Sequence, residues 1–312
     1  MFLKNAARLT FVNSVNIWKL LLYRILCLLC VLGLTTVVAW PIINVLIKDN
    51  FFVEVQKTFE GMLFNFNIEK LFLGVDTVFK MFAEIISTHG YVVQTVFVAI
   101  FDVILVSFLE QYSSLALHQC VGGYMSSLTK YGFTNAYVSN FGRASLLALG
   151  RIITTLILNL GIWIGMYFMA SGLYAKIGVM AIILAFFLAI VLVSLKSAMF
   201  CAWEPAYQIH GESIFKALKR GLIAVWRRFF RVLSAYLILS VLVFIVNIFA
   251  FTLTAGVGLL VTAPLTTLSY VALGEVVYRE LNGMRYYVDS EHIVSPKKLE
   301  QQDSFSKVKD II

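Results

Sequence analysis

Charged residues are scarce in this chain of 312 residues: they make up 13% of it, against 60% hydrophobic residues. A soluble domain has about 25% charged and about 45–50% apolar residues, so one aqueous core cannot enclose this much apolar surface. The scarcity of charge excludes an ordinary soluble protein and indicates that a lipid bilayer solvates the surplus.

Cysteine is also scarce, and the four cysteines fit no disulfide framework. Cys27 and Cys30 have CxxC-like spacing inside an apolar run, but no βαβ pattern surrounds them, which disfavours a redox or metal site. The four histidines, His118 among them, are scattered at spacings that do not suit a metal, and we interpret them as loop residues. GxSxG, HExxH and P-loop patterns are absent from the sequence. We therefore predict no enzyme activity, no cofactor and no metal.

Long apolar runs are abundant, and a helix needs about 20 apolar residues to cross a bilayer. The last run, residues 232–277, is about twice that length, so it must fold back near Gly256. The predicted fold class is an all-α polytopic membrane helix bundle with about six transmembrane helices and interfacial amphipathic helices. We predict one membrane domain over residues 1–280 and a cytoplasmic tail over 281–312. The predicted spans are 25–47, 91–109, 152–170, 177–195, 232–253 and 256–277.

The positions of Lys and Arg predict the orientation. Of the 25 basic residues, 20 lie before the first span, in the even-to-odd connections or after the last span. The positive-inside rule then places both termini in the cytoplasm, as an even number of spans requires. The predicted location is the cell (plasma) membrane. Because the basic residues flank spans, the net charge of +8 does not predict a nucleic-acid partner. The other five basic residues, which this orientation places on the non-cytoplasmic side of the membrane, are Lys48, Lys57, Lys70, Lys80 and Lys176.

Amphipathic segments lie between the spans. Residues 51–90 form an external segment with apolar positions at helical spacing, which fits a helix lying in the outer interface or a lid packed over the bundle. Phe2–Ala6, Phe133–Ala136 and Ile214–Leu218 are similar to one another and precede spans one, three and five. They predict a threefold repeat of interfacial helix plus hairpin.

Proline is rare, with four in the chain. We predict a kink after Trp40, at Pro41 near the outer end of span one, and a second kink at Pro264 within span six.

Asp102 is the strongest candidate for chemistry inside the membrane. It lies about 16 Å along span two at 1.5 Å per residue, near the midplane, where a charge costs at least about 2.5 kcal/mol. It could belong to an ion, proton or substrate pathway, with Gln94 and Asn159 as further pathway candidates. Alternatively, it is a protonated carboxyl group hydrogen-bonded to Gln94 or Asn159. For Glu275 we expect a structural ion pair, with Lys196 as its partner.

The segment before span five interleaves basic and aromatic residues. It could bind anionic lipid headgroups, at about 1 kcal/mol per basic residue, or only fix the topology of the chain. Membrane lipids are the predicted partners, and the sequence identifies no protein partner. The headgroup candidates are Lys216, Lys219, Arg220, Arg227, Arg228 and Arg231.

The last hundred residues resemble a loose group of bacterial six-span membrane proteins. The resemblance lies in the run Ala217–Arg231, two closely spaced spans, Pro264 and the ending Tyr278–Leu281. That group includes uncharacterised integral membrane families and the membrane domain attached to some glycerophosphodiester phosphodiesterases. The resemblance implies a fold type and a bacterial origin. The hydrolase activity is not implied, because these residues leave no room for a soluble barrel.

Two functional classes remain open on the sequence alone. One is a transporter or permease-like protein with a carboxylate at the midplane of the membrane. The other is a non-catalytic membrane protein that organises lipids or assists partner proteins.

Overall fold

The computed structural model describes residues 2–60, 68–254 and 256–295. Nearly all of these residues are helical, and two short strands form an antiparallel pair near the end of the described chain. The elements are α1 (Phe2–Val12), α2 (Val15–Val38), α3 (Trp40–Lys48), α4 (Phe51–Phe59), α5 (Ile68–Thr88), α6 (Val92–Ser127), α7 (Phe133–Ser139), α8 (Phe141–Arg151), a π-helical segment (Ile152–Leu156), α9 (Ile157–Ile177), α10 (Val179–Phe200), α11 (Trp203–His210), α12 (Ile214–Trp226), α13 (Phe229–Thr254), α14 (Leu259–Leu281), β1 (Tyr286–Tyr287) and β2 (Ile293–Val294).

The structure confirms the predicted fold class. Within the described ranges, six helical stretches are long and apolar enough to cross a membrane. The chain is therefore a multi-pass helical membrane protein. The stretches are Val15–Val38, Val92–Ser127, Phe141–Ile177, Val179–His210, Phe229–Thr254 and Leu259–Leu281.

Several helix boundaries differ from the predicted spans. The first spanning helix begins at Val15 and ends at Val38, and α3 starts a new helix at Trp40 with Pro41 in its first turn. The predicted kink is thus a helix break: Pro41 lacks a backbone N–H and fits the first turn of α3, where that group would have no partner within the helix. Helix α6 continues to Ser127, well beyond the predicted end at residue 109. Helices also begin at Phe2, Phe133 and Ile214, where the three similar stretches were noted.

The hairpin between α13 and α14 turns where the long apolar run was predicted to break. Helix α13 ends at Thr254 and α14 begins at Leu259. Gly256 has φ +91°, a backbone conformation that side chains disfavour. The Thr254 hydroxyl accepts a hydrogen bond of 2.6 Å from the backbone N–H of Gly258, which satisfies one free donor at the start of α14.

The described residues form two compact units, and helices α2, α6 and α10 and the π-helical segment contribute to both. The described part of unit 1 is residues 2–22, 110–154, 190–254 and 256–295, and that of unit 2 is residues 23–60, 68–109 and 155–189.

Helix α14 is the centre of unit 1. Residues Val271–Arg279 form an unbroken stretch of buried positions on this helix. Helices α1, α11, α12 and α13 all pack against α14. A helix enclosed in this way is hydrophobic on every face, so the two charged residues in the stretch, Glu275 and Arg279, need partners inside the protein.

The first part of the predicted tail folds onto unit 1. Tyr286 of β1 is 1% exposed, and its hydroxyl donates to Glu280 Oε1 at 2.9 Å while accepting from Asn5 Nδ2 at 2.9 Å. Burial, with Glu280 beside the phenol, raises the pKa of Tyr286. These contacts join α1 to the β1–β2 ribbon. The remaining residues of the tail, 296–312, lie outside the described part.

In unit 2, an apolar cluster joins α3, α4, α5 and α6. Helices α4 and α5 make up the predicted external segment, and residues 61–67 between them lie outside the described residues. The buried members of the cluster are Ala39, Ile42, Leu46, Phe51, Ile86 and Val98.

Helix α5 is bound to α9 by two tyrosine hydroxyls. Tyr167 donates to Asp76 Oδ1 at 2.7 Å, and Tyr174 donates to Glu69 Oε1 at 2.6 Å. The hydrogen bond from Lys80, and after it the one from Tyr167, lowers the pKa of Asp76. Of the two alternatives for this segment, a lid packed on the spans predicts such contacts, whereas an independent interfacial helix does not.

In unit 1, helix α12 lies very close to the backbone that leads into α11. A Cβ atom placed on Gly221 would be 2.9 Å from the carbonyl carbon and oxygen of Ala202. Ala217 and Ala224 are buried beside it, so small side chains line the face of α12 that packs inward.

We predict that Gly221→Ala destabilises the protein. The new methyl group would clash with backbone atoms that cannot rotate away, and overpacking of this kind costs about 1–3 kcal/mol. The free energy of unfolding in mixed micelles measures the loss.

Gly142→Ala in α8 is the matched control, because a Cβ atom there meets nothing within 4 Å. Alanine is the better helix former by about 1 kcal/mol, so this variant should be as stable as the wild type or slightly more so. Equal losses in the two variants would contradict the close packing of α12.

Candidate functional site

Basic residues of α12 share one face of the helix. Lys216, Lys219, Arg220 and Ile223 of α12, together with Arg227 directly after it, each lie three or four residues from another member of the set, which brings side chains together on a helix surface. The small residues Ala217 and Gly221 are buried, and Gly221 meets the backbone that leads into α11. The spacing of small and basic residues therefore directs the long cationic side chains away from the core.

These side chains line an open groove of about 350 Å³, which we call the basic groove. Glu212 and Asn282 complete its polar lining, and Glu212 forms an ion pair with Arg220. Four cationic side chains and one carboxylate give the groove a net charge of +3. A groove of this charge and size favours a phosphate-bearing ligand, since Lys and Arg are the usual ligands of phosphate.

A second groove, of about 430 Å³, adjoins the basic groove. Ile223 and Arg227 line both. The second lining is otherwise apolar, and we call it the apolar groove. Trp226 belongs to it and is 73% exposed, as is typical of an aromatic ring at a membrane–water interface. The other lining residues are Met199, Leu222, Val225 and Phe229.

The structure brings four of the six predicted headgroup residues together in the basic groove. Arg228 is exposed. The Arg231 guanidinium lies 4.7 Å from the centroid of the Phe2 ring, a cation–π contact with α1. Arg231 thus contacts the N-terminal helix.

A buried cluster of charged residues lies elsewhere in unit 1. The His118 ring of α6 lies between two glutamates, with Nε2 2.7 Å from Glu204 Oε2 and Nδ1 2.9 Å from Glu275 Oε1. Glu275 is 0% exposed, and the other two residues are 4% exposed or less. A buried charged side chain is tolerated only when hydrogen-bonding groups or opposite charges lie close to it. The stability of this cluster therefore depends on the short distances between its members.

Two arginines complete the cluster. Arg151 forms an ion pair with Glu204 and donates to Gln111 Oε1 at 3.0 Å. Arg279 donates to the Gly122 carbonyl at 2.8 Å, and its Nε atom is 3.5 Å from Glu275 Oε2. Ser114 donates to Glu204 Oε2 at 2.6 Å.

Sequence reasoning missed this cluster. We interpreted the four histidines as loop residues because they are scattered at spacings that do not suit a metal, whereas α6 continues past residue 109 and carries His118 into the core. Glu204 lies in a short helix, where a lone carboxylate was the available signal. For Glu275 we expected Lys196 as the partner, and the structure places it against His118 and Arg279.

Asp102 accepts a hydrogen bond of 2.6 Å from the hydroxyl group of Thr35, so its Oδ1 atom has a donor within unit 2. Gln94 is on the same helix, eight residues before Asp102, and about 12 Å away along the axis at 1.5 Å per residue. It is therefore too far to be the hydrogen-bond partner that we considered. Gln94 and Asn159 are both half-buried.

Arg279→Met should destabilise the protein by about 3–5 kcal/mol, because it removes one partner of a buried charge cluster and leaves the other behind. The free energy of unfolding measures this loss. Lys130→Met removes one positive charge at an exposed position and should change stability by less than about 0.5 kcal/mol. Similar losses of stability in the two variants would show that Arg279 is not a required partner in the buried charge cluster.

A double-mutant cycle tests the contact between Thr35 and Asp102. We expect Thr35→Val and Asp102→Asn to be non-additive by about 0.6–1.7 kcal/mol, the usual range for a hydrogen bond between membrane helices. The neighbouring Thr36 is the control, because its hydroxyl donates to Leu32 O of its own helix. Thr36→Val and Asp102→Asn should be additive, and additivity in both cycles would contradict the contact.

Comparison of the chain with protein-family models, curated proteins and solved structures finds no match.

Proposed function

We propose that this chain is a non-catalytic integral membrane protein that binds an anionic phospholipid and thereby organises lipids around it. The proposal places it in the plasma membrane of a bacterium, with both termini and α12 on the cytoplasmic side. The observation behind it is the position of the basic groove, which opens directly beside the apolar groove on α12.

The basic groove suits a phosphate headgroup. Each Lys or Arg near a membrane surface adds about 1 kcal/mol of attraction for anionic lipid. Lys216, Lys219 and Arg227 are the three cations of the groove with no acidic side chain beside them in the described lining, since Glu212 lies against Arg220. Asn282 adds an amide that can donate a hydrogen bond to a phosphate or glycerol oxygen.

The apolar groove suits an acyl chain. Apart from Arg227, its lining residues are apolar or aromatic, so water gains few hydrogen bonds there and a hydrocarbon tail can replace it. Ile223 and Arg227 line both grooves, which allows the head and the tail of one lipid to occupy them together.

Topology alone does not require this arrangement. Positive charge fixes orientation wherever it falls in a short connection, so scattered exposed lysines would be sufficient. Four cations around one groove, directly next to an apolar groove, match the charged headgroup and the hydrocarbon tail of a lipid.

The transporter hypothesis stays a prediction with less support. Its single residue-level argument is Asp102, and the hydrogen bond from Thr35 gives that carboxyl group a structural role.

We expect the triple variant Lys216→Gln, Lys219→Gln and Arg227→Gln to bind anionic phospholipid about a hundredfold more weakly, since about 1 kcal/mol per cation is lost. Purified protein in detergent is titrated with equal amounts of anionic and zwitterionic phospholipid, and native mass spectrometry counts the retained lipids. Wild-type protein should retain the anionic lipid preferentially.

The matched control removes the same charge from exposed lysines elsewhere: Lys4→Gln, Lys48→Gln and Lys130→Gln. If both triple variants lose the preference equally, net charge and not the groove is responsible, and the proposal fails. The soluble headgroup phosphate without acyl chains should compete poorly with intact lipid. If it competes as well as intact lipid, the apolar groove does not hold a tail.

A further inference from the structure

The His118 imidazole bridges two carboxyl groups in the core of unit 1. Its nitrogens lie 2.7 Å from a Glu204 oxygen and 2.9 Å from a Glu275 oxygen. The three side chains belong to α6, α11 and α14, and all are buried. Nitrogen and oxygen atoms this close at a buried site need a hydrogen between them, because two bare acceptors would repel.

Counting hydrogens gives the protonation state. A neutral imidazole carries one N–H, and an ionised carboxylate carries none. One hydrogen fills one of the two gaps, so the other gap needs an additional proton. The result is an imidazolium between two carboxylates, or a neutral imidazole between one carboxylate and one carboxylic acid.

We infer that Glu204, His118 and Glu275 form a binding site for one exchangeable proton, which we call the proton triad. This inference goes beyond lipid binding and does not depend on it. When the triad loses its proton, two acceptors face each other across one gap, and a contact between α6 and α11 or α14 is weakened. The triad thus couples proton binding to the packing of three helices.

Both carboxyl groups of the triad have an arginine nearby. Glu204 accepts a hydrogen bond from Ser114 and forms an ion pair with Arg151. Arg279 Nε lies 3.5 Å from the buried Oε2 atom of Glu275. The imidazole and its additional proton therefore lie between two carboxyl groups that each have a cationic partner.

Other charged and titratable groups face the triad from the helices packed around it. Arg151 and Arg279 contact it directly. Glu110 and Tyr236 act electrostatically on Arg151, and Arg151 acts on Lys196. The Tyr236 hydroxyl and His118 Cε1 both lie beside Gly274, next to the Cys201 carbonyl.

Spectroscopy on the wild-type protein tests the inference directly. Protein labelled with ¹⁵N-histidine is studied in lipid bilayers at pH 8 by solid-state NMR, with the His118 signal assigned by its loss in His118→Gln. Infrared spectra of the same sample detect protonated carboxyl groups. We expect one additional proton in the triad, detected either as a protonated carboxyl band together with a neutral His118 or as two protonated ring nitrogens on His118. A neutral ring without that carboxyl band would overturn the inference.

The pH dependence of stability gives a second test. At pH 8 an unfolded chain has lost this proton, because free glutamate and histidine have pKa values of about 4.3 and 6.5. The folded state binds one more proton than the unfolded state, so stability falls as pH rises. The folding equilibrium constant should fall about tenfold per pH unit above about pH 6.5, until the folded triad releases its proton. Below that pH the unfolded chain also binds the proton, and the contribution is constant.

Glu275→Gln should abolish this slope, because the amide can donate to Nδ1 without an extra proton. Glu54→Gln is the matched control, since Glu54 is an exposed carboxylate paired only with Lys57 in the described contacts, and it should keep the wild-type slope. Slopes that are the same in all three proteins would overturn the proton triad. If lipid binding fails its own test, these results are unaffected, so the two proposals fail separately.

Discussion

Glu275 and Arg279 lie one turn apart on a part of α14 that is buried on every side. Because water cannot reach them, each surrounding helix has to supply a partner or a close approach: α6 supplies His118 and the Gly122 carbonyl, and Glu204 of α11 completes the bridge through the imidazole. Breaking any one partner would leave a charge unpaired in a medium of low polarity. The positions of the neighbouring helices around α14 therefore depend on this set of charged contacts.

The same helices present a different chemistry at their outer surface. Helix α12 has a face of small residues, where Gly221 meets the Ala202 backbone, and a face of long cationic residues that lines the basic groove. Close packing on one side fixes the orientation of the other. The proposed lipid site is thus a consequence of how α12 packs: a bulkier residue at 221 would push α12 away from α11 and change the shape of both grooves.

Much of the fold could be predicted because hydrophobic length and charge are local properties of the chain. Apolar runs located six spanning helices, and Gly256 marked the hairpin. Helix ends were less predictable: α6 extends to Ser127 because residues beyond 109 find partners in the core. Of the candidate site, the basic residues of α12 were predictable from their helical spacing. The cluster around His118 was not, since His118, Glu204 and Glu275 are 71 to 157 residues apart and no local pattern joins them.

Composition and periodicity alone establish that this chain belongs in a membrane, that its spans are helical and that the segment of α12 is basic on one face. Which polar groups meet depends on the packing of the helices. This packing gave Asp102 a hydroxyl donor in Thr35 and placed His118 between two glutamates. Partners of this kind depend on distances between helices that are far apart in sequence, and those distances are set only when side chains pack against one another.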